Sequence, residues 1–238
     1  MTRSTGRLGL ALLLSAAAAF AEDPPAPPKP TEADARAKIE AYNTGVKNKS
    51  EEEKQAAIDA MADCPHTMVI TKLSQILAAD TDACRSSAAK TLGRMKDDPN
   101  AAAALHAGIK PNDAKAKILA DVFEAIGNVN HPSSVAVCRE FVDHRLGARD
   151  REDLPGVDSA IDAMGALKWK SSVEALIDLW HKNRVVGRDP ASNFKEKVRK
   201  WCNQALRRLT GEKNDNQAAW DDWWKDNKAK FNNDLTAK

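Results

Sequence analysis

The sequence has little net charge, few aromatic residues and few cysteines. Its 238 residues carry 36 Lys and Arg against 34 Asp and Glu, and this formal net charge of +2 is too small to make nucleic acid the expected partner. Aromatic residues make up 5% of the chain, and β-branched residues rarely cluster, so a sheet is not favoured. Apolar residues still reach 42%, which is too many for a disordered chain. With its abundant alanine, this composition favours an all-α fold with a real core.

Motifs for catalysis or metal binding are also missing from the sequence. It contains no Cys-x-x-Cys or His-x-x-x-His pair, no haem-attachment string, no Gly-x-Ser-x-Gly elbow, no phosphate loop and no dinucleotide fingerprint. The carboxylate runs Glu51–Glu53 and Asp221-Asp222 are more typical of solvated helix faces than of an acid/base pair. His66 and His131 each lie beside a proline, as helix caps or turn residues often do. We therefore expect no enzymatic activity, no metal and no cofactor.

The N-terminus has the pattern of a secretory signal peptide. Arg3 and Arg7 precede an apolar run over residues 8–20, which closes on the small-x-small sequence Ala19-Phe20-Ala21. A membrane anchor is the alternative, but the run is shorter than the roughly 20 residues that a span needs. We predict a signal peptide over 1–21 and an exported chain, periplasmic or secreted, with no membrane span after cleavage. Removing the two arginines lowers the basic residues from 36 to 34, equal to the 34 acidic ones.

A proline-rich segment follows the predicted cleavage site, over residues 22–31. Its prolines favour an extended polyproline II spacer, although a docking peptide for a proline-reading domain has the same composition. Thr31 and Ser50 each begin a capping-box pattern and so predict two helix starts. The first helix, within 32–49, is largely polar, which predicts an N-terminal capping helix or a loosely docked arm.

From residue 50 to 232 the apolar spacing is helical and a unit recurs. Gly93, Gly127 and Gly165 each follow the last apolar turn of a helix, and a second amphipathic helix follows each of them. Such a glycine either takes a left-handed C-cap or lets the next helix approach closely. A repeat of this period predicts an α-solenoid of about five helix pairs, which bury their apolar faces by stacking. Residues 233–238 are left as a C-terminal tail.

These units resemble the HEAT-like (bilin-lyase-type) repeat family, in which a helix ending near Leu-Gly-x-Leu precedes a shorter helix with a Val-x-x-Leu-Ile pattern. The best match is the segment Met164–Leu167 followed by Val173–Ile177. Residues 209–211 and 220–224 also resemble a closing segment of exported bacterial HEAT-repeat proteins. The resemblance implies an α-α superhelix of the HEAT/armadillo type that acts as a protein-interaction scaffold. The HEAT-like hydroxylases hold iron through His-Glu pairs, and no histidine here is followed by Glu.

Two surfaces are candidates for partner binding. Two long loops follow second helices of adjacent predicted repeats and carry four arginines that we expect to cluster at one edge: Arg145, Arg149, Arg184 and Arg188. Such guanidinium groups suit a carboxylate or phosphate on a partner, unless acidic residues of the same loops neutralise them. Trp169, between two lysines at a predicted turn, is the aromatic residue that we expect to be exposed. Trp220, Trp223 and Trp224 share one helical face, which either caps the core or binds a ligand.

We therefore expect an exported scaffold that binds an unidentified protein partner and does not catalyse a reaction. A carbohydrate- or cell-wall-binding module that uses exposed tryptophans is the alternative, and an enzyme or enzyme accessory with an unrecognised site is a further one. The sequence gives no basis for an oligomeric state.

The four cysteines generate a testable prediction. An even number in an exported chain suggests disulfides, but the predicted helices place Cys64 and Cys84 at opposite ends of a connecting helix about 18 Å long. Cys138 and Cys202 fall in the middle of helices two units apart, and both separations exceed the roughly 7 Å that a disulfide tolerates between Cα atoms. Titration of the unfolded, unreduced protein should therefore find four free thiols. Fewer than four would mean that a disulfide forms.

Overall fold

A computed structural model describes residues 29–147, 155–183 and 190–238. Over these ranges the protein is all-α, as predicted, with eleven α-helices, three short 3-10 turns and no strand. The helices are α1 (Glu32–Asn48), α2 (Glu51–Asp59), α3 (Thr67–Ala79), α4 (Asp82–Gly93), α5 (Pro99–Ile109), α6 (Ala116–Val129), α7 (Ser133–Gly147), α8 (Val157–Met164), α9 (Lys170–Lys182), α10 (Pro190–Thr210) and α11 (Gln217–Asn227). The predicted signal peptide lies outside the described residues.

The helix starts follow the predicted capping residues. Thr31 and Asp34 form a complete capping box, in which each side chain accepts a hydrogen bond from the other residue's backbone N–H. Ser50 caps α2 by accepting from the N–H of Glu53 at 3.2 Å, without the return bond of a full box. His66 caps α3 through Nδ1, which accepts from the N–H of Met68 at 3.3 Å. The predicted caps at Thr31 and His66 are confirmed. Ser50 caps its helix as predicted, but the second hydrogen bond of the predicted capping box is absent.

The helices form two rows with contacts between neighbours along the chain. We call α2, α4, α6, α8 and α10 the even row and the other helices the odd row; within each row, every helix contacts the next one. Contacts along the even row are more extensive than those along the odd row. Across the rows, the closest partners are α1/α2, α3/α4, α5/α6, α7/α8 and α9/α10. This differs from the predicted frame, which paired each glycine-ended helix with the helix after it.

Short linkers explain why the first two observed helix pairs differ from the predicted pairing. Only Lys49-Ser50 separates α1 from α2, and only Asp80-Thr81 separates α3 from α4, so each pair must fold back as a tight helical hairpin. The first helix is consequently not a loose arm. It contacts α2 and α3 and buries Ala35 and Tyr42.

The three repeated glycines are points of close approach within the even row. A Cβ atom on Gly93 would lie 2.9 Å from both the Cα and the Cβ of Ala125 in α6. The corresponding distances are 2.9 Å from Gly127 to the Cβ of Ala166 and 2.7 Å from Gly165 to the Cβ of Ala205. None of these glycines has a positive φ, so close approach is the correct alternative and the left-handed cap is wrong here.

One apolar core runs through the stack from α1 to α11. Its C-terminal end is closed by Trp220, which is fully buried, and Trp224, which is 8% exposed. Trp223 is half-buried and packs edge-on against Trp220 and stacked on Trp224. Of the two roles left open for these tryptophans, capping is the one that the packing supports. Among the described helices, none is both long and apolar enough to cross a membrane.

Asp80, the residue after α3, ties the first four helices together. Its carboxylate accepts hydrogen bonds from the Tyr42 hydroxyl in α1 and, at 2.7 Å, from Lys54 Nζ in α2. Its backbone carbonyl accepts from Nε of Arg85 in α4, also at 2.7 Å. Burial opposes ionisation of Asp80, but the bonds from Lys54 and Tyr42 outweigh it and hold the pKa of this carboxyl below its usual range.

Substitution of Gly93 tests the close approach. Gly93→Ala should lower the free energy of unfolding by about 1 to 3 kcal/mol, because the new Cβ meets backbone atoms of α6 that must move. Gly147→Ala is the matched control, since nothing lies within 4 Å of its Cβ position at the end of α7. Urea unfolding measures both. If Gly93→Ala is as stable as the control, the helices do not need the glycine.

Asp80→Asn tests the network around Asp80. Both members of its ion pair with Lys54 are mostly buried, with side chains 14% and 12% exposed, so the variant should lose about 2 to 4 kcal/mol of unfolding free energy at pH 7. Because the pKa of Asp80 is lowered in the folded state, this stabilisation is present above the ordinary Asp pKa and is lost as the pH falls through the folded value. The gap between wild type and variant, followed by thermal unfolding, should therefore shrink in acid.

The control for Asp80 is Glu40→Gln, which breaks an exposed ion pair with Lys47. It should change stability far less at every pH. Equal losses in both variants would contradict the role assigned to Asp80.

Candidate functional site

The predicted arginine cluster is only partly within the described residues. Arg145 lies near the end of α7, and its guanidinium bonds the carboxylate of Asp113 at 2.5 Å and the carbonyl of the same residue at 3.1 Å. It also lies over the ring of Phe141, and its side chain is only 19% exposed. Arg145 is thus engaged by the turn before α6, which the sequence did not indicate. The other three predicted arginines, Arg149, Arg184 and Arg188, lie outside the described residues.

Trp169 is less exposed than we expected. Its indole N–H donates to the carbonyl of Asn130 at 3.0 Å, and the backbone N–H of Lys168 donates to the Asn130 side chain at 2.8 Å. Asn130 ends α6 in a left-handed conformation with φ of 57°. The ring of Trp169 is half-buried against the core, so it fastens the turn before α9 to the turn after α6.

The C-terminal tail returns to this same edge. Residues 231–238 form a small hairpin that follows the 3-10 turn Lys228–Lys230, with a single antiparallel bridge between Phe231 and Ala237. The carbonyl of Asn233 accepts from the N–H of Lys170 at 2.8 Å. Sequence reasoning left 233–238 without a structure. The turn-forming run Asn232-Asn233-Asp234 between two apolar residues was the signal that could have found it.

A groove lined by both polar and apolar side chains runs along the exposed side of the even row. We call this exposed side of the even-row helices the even-helix face. Its widest opening, about 580 Å³, lies between the first turns of α4 and α6, and one of about 380 Å³ lies between α6, α8 and α10. A smaller opening joins α4 to α6 near their ends. The side chains that line these openings and carry the argument below are Lys90, Arg94, Glu124, Asn128, Asp162 and Arg208.

The groove carries charges of both signs. Asp121 is bonded by Ser86 and lies 3.5 Å from Lys90 Nζ, and Arg208 bonds both the carboxylate and the carbonyl of Asp162. Arg94, Glu124 and Asn128 are exposed, and their side chains have no hydrogen bond or ion pair with any residue that the structure describes. The groove therefore offers both paired and free polar groups.

Sequence reasoning missed these residues, although the repeat contains a signal for them. All the named groove residues except Arg208 stand three positions before or one position after a repeated glycine. The first glycine has Lys90 and Arg94 at these positions, the second has Glu124 and Asn128, and the third has Asp162 and Ala166. Because each glycine meets the next helix of the even row, residues flanking it necessarily border the junction.

One Ser-His contact has the atoms of a catalytic pair, but its serine is not accessible to a substrate. His106 Nε2 lies 2.9 Å from Oγ of Ser134 and joins α5 to α7. Ser134 is fully buried, so no substrate reaches its hydroxyl. Burial, with a smaller effect of His131, lowers the pKa of His106. His131, in the turn before α7, bonds the hydroxyl of Ser133, the first residue of that helix. Within the described ranges, no three His, Cys, Asp or Glu side chains group as metal ligands.

All four cysteines are buried and unbridged in the structure. Burial raises the pKa of the Cys138 and Cys202 thiols to about 12, and it also raises the pKa of Cys64 and Cys84. These side chains pack as small apolar groups and supply no nucleophile at neutral pH.

Comparison with known protein families and with curated protein sequences finds no match to this chain. The function proposed below therefore rests on the residues of the chain itself.

Proposed function

We propose that this protein is an exported HEAT-like α-solenoid that binds a protein partner along its even-helix face. Two rows of helices with contacts between successive members support the solenoid, as does the repeat of glycine-ended helices. Export is proposed from the signal-like residues 1–21 alone. Solenoids of this kind present extended surfaces, and their function lies in what those surfaces hold.

The observation that carries the proposal is the register of the groove residues. Glu124 and Asn128 of α6 border the same opening as Asp162 of α8 and Ala166, which follows α8. Lys90 of α4 and Arg94, which follows α4, border the opening before it. One structural position is therefore filled by a different polar or small side chain in each repeat. An extended surface built from variable residues on a fixed frame suits the recognition of a protein segment.

The packing of the two rows favours the even-helix face as the inner surface of the stack. Taken over the whole row, neighbours in the even row contact each other more extensively than neighbours in the odd row, and a stack bends toward its more closely packed row. The alternative inner surface is the one formed by the second helix of each predicted pair, which is an odd-row helix. The glycine contacts favour the opposite assignment.

The carbohydrate alternative receives less support than the scaffold. Stacking on a sugar needs an exposed aromatic face, whereas Trp220 and Trp224 are buried and the indole N–H of Trp169 is already bonded to Asn130.

Site-specific photo-crosslinking in cells that export the full chain tests the proposal. A photoreactive residue in place of Arg94 or Glu124 should give a discrete protein adduct, because both side chains are exposed and unpaired in the groove. The same residue in place of Gln75 in α3 or Glu140 in α7 is the control, since both are exposed positions of the odd row.

Adducts confined to positions 94 and 124 support the even-helix face. Equal adducts from positions 75 and 140, or no adduct from any of the four, would contradict it.

A further inference from the structure

A second surface with a strong charge lies at the edge where Trp169 and the C-terminal hairpin meet. It belongs to two chain segments, residues 168–170 and 228–238, which carry five lysines and a single acidic side chain, Asp234. We call these lysines the lysine patch: Lys168, Lys170, Lys228, Lys230 and Lys238.

Backbone hydrogen bonds hold the two segments together. The N–H of Lys170 donates to the carbonyl of Asn233, and the N–H of Lys238 donates to the carbonyl of Lys230 at 2.9 Å. Phe231 packs against Trp223 and the core, which anchors the hairpin to α11. The lysines are thus displayed on a fixed backbone rather than along a loose tail.

The charge of the patch is uncompensated within the described structure. None of its five ammonium groups forms an ion pair there, and the only side-chain bond that any of them makes is from Lys230 to the amide oxygen of Asn227. The carboxylate of Asp234 instead accepts from Thr236, which lowers its pKa. Two carboxylates lie close to these segments in the sequence: Glu174 follows residues 168–170, and Asp226 precedes residues 228–238. Neither makes an ion pair with the patch. The predicted mature chain as a whole has 34 basic and 34 acidic residues, so the excess of lysine in these two segments is local and gives this surface a positive potential.

The chemistry of the patch suits carboxylates on a flexible segment. Lysine ammonium groups bind as point charges and do not demand the planar geometry that arginine imposes. A membrane surface is a poorer match, because the nearby apolar side chains Trp169, Phe231 and Leu235 are packed against the core and supply no protruding wedge.

We propose that the lysine patch is a binding surface for an acidic segment of a protein partner. It is separate from the even-helix face, so either surface can fail its test while the other passes. Binding is electrostatic and weakens as salt shortens the screening length, which is roughly 10 Å at 0.1 M.

The test measures fluorescence anisotropy of a labelled oligoglutamate peptide with the full-length protein. The triple variant Lys168→Glu, Lys170→Glu and Lys230→Glu should bind the peptide roughly tenfold more weakly than wild type. The control reverses three exposed lysines away from the patch that also lack ion pairs in the described structure: Lys96→Glu, Lys110→Glu and Lys213→Glu. Both triple variants change the net charge equally and should fold, because their lysines are at the surface.

Loss of binding in the patch variant alone supports the proposal. Equal loss in the control would show that overall charge governs binding, and a neutral Gly-Ser peptide that binds as well as oligoglutamate would remove the electrostatic basis; either result overturns the proposal. A third arm uses vesicles of phosphatidylglycerol and phosphatidylcholine. Sedimentation of the protein with these vesicles, without binding to oligoglutamate, would assign the patch to a membrane and overturn the peptide proposal.

Discussion

The close contact of successive even-row helices at glycine is the constraint on which the rest of the structure depends. Where Gly93 meets Ala125, only the methyl group of the alanine lies at the contact, so the spacing of α4 and α6 is fixed by backbone atoms and one Cβ rather than by long, adaptable side chains. Gly127 and Gly165 repeat this contact at the next two junctions. The same contact brings the polar neighbours of each glycine to the border of a groove, so one residue determines both the packing and the surface above it.

Much of the local structure could be predicted from the sequence. Caps such as Thr31 and His66 act within three residues, and the glycine-ended helices follow from apolar periodicity, so both are encoded locally. The partner of each helix is not encoded in this way. Periodicity shows which face of a helix is buried, but the pairing of α3 with α4 depended on a linker of only two residues. Asp80 shows the same limit, because Tyr42 lies 38 residues away from it in the chain.

The candidate sites were harder to predict because exposure depends on distant residues. Arg145 looked like a free surface arginine, yet Asp113 reaches it from 32 positions earlier in the chain. Trp169 looked exposed beside its two lysines, yet Asn130 holds its indole from 39 positions earlier. Conversely, the tail that appeared to end the chain without structure folds back onto the start of α9.

The four buried cysteines have a consequence for the proposed export of this chain. Their sulfurs are spread over the stack, at the turn after α2 and within α4, α7 and α10. A thiol that is buried and protonated reacts with an oxidant only while its own part of the stack is open, because opening alone exposes it and returns its pKa toward normal. In an oxidising compartment, the rate at which each cysteine is oxidised therefore depends on how often the helices around it open. Oxidation measured site by site would give the opening frequency along the two rows of helices.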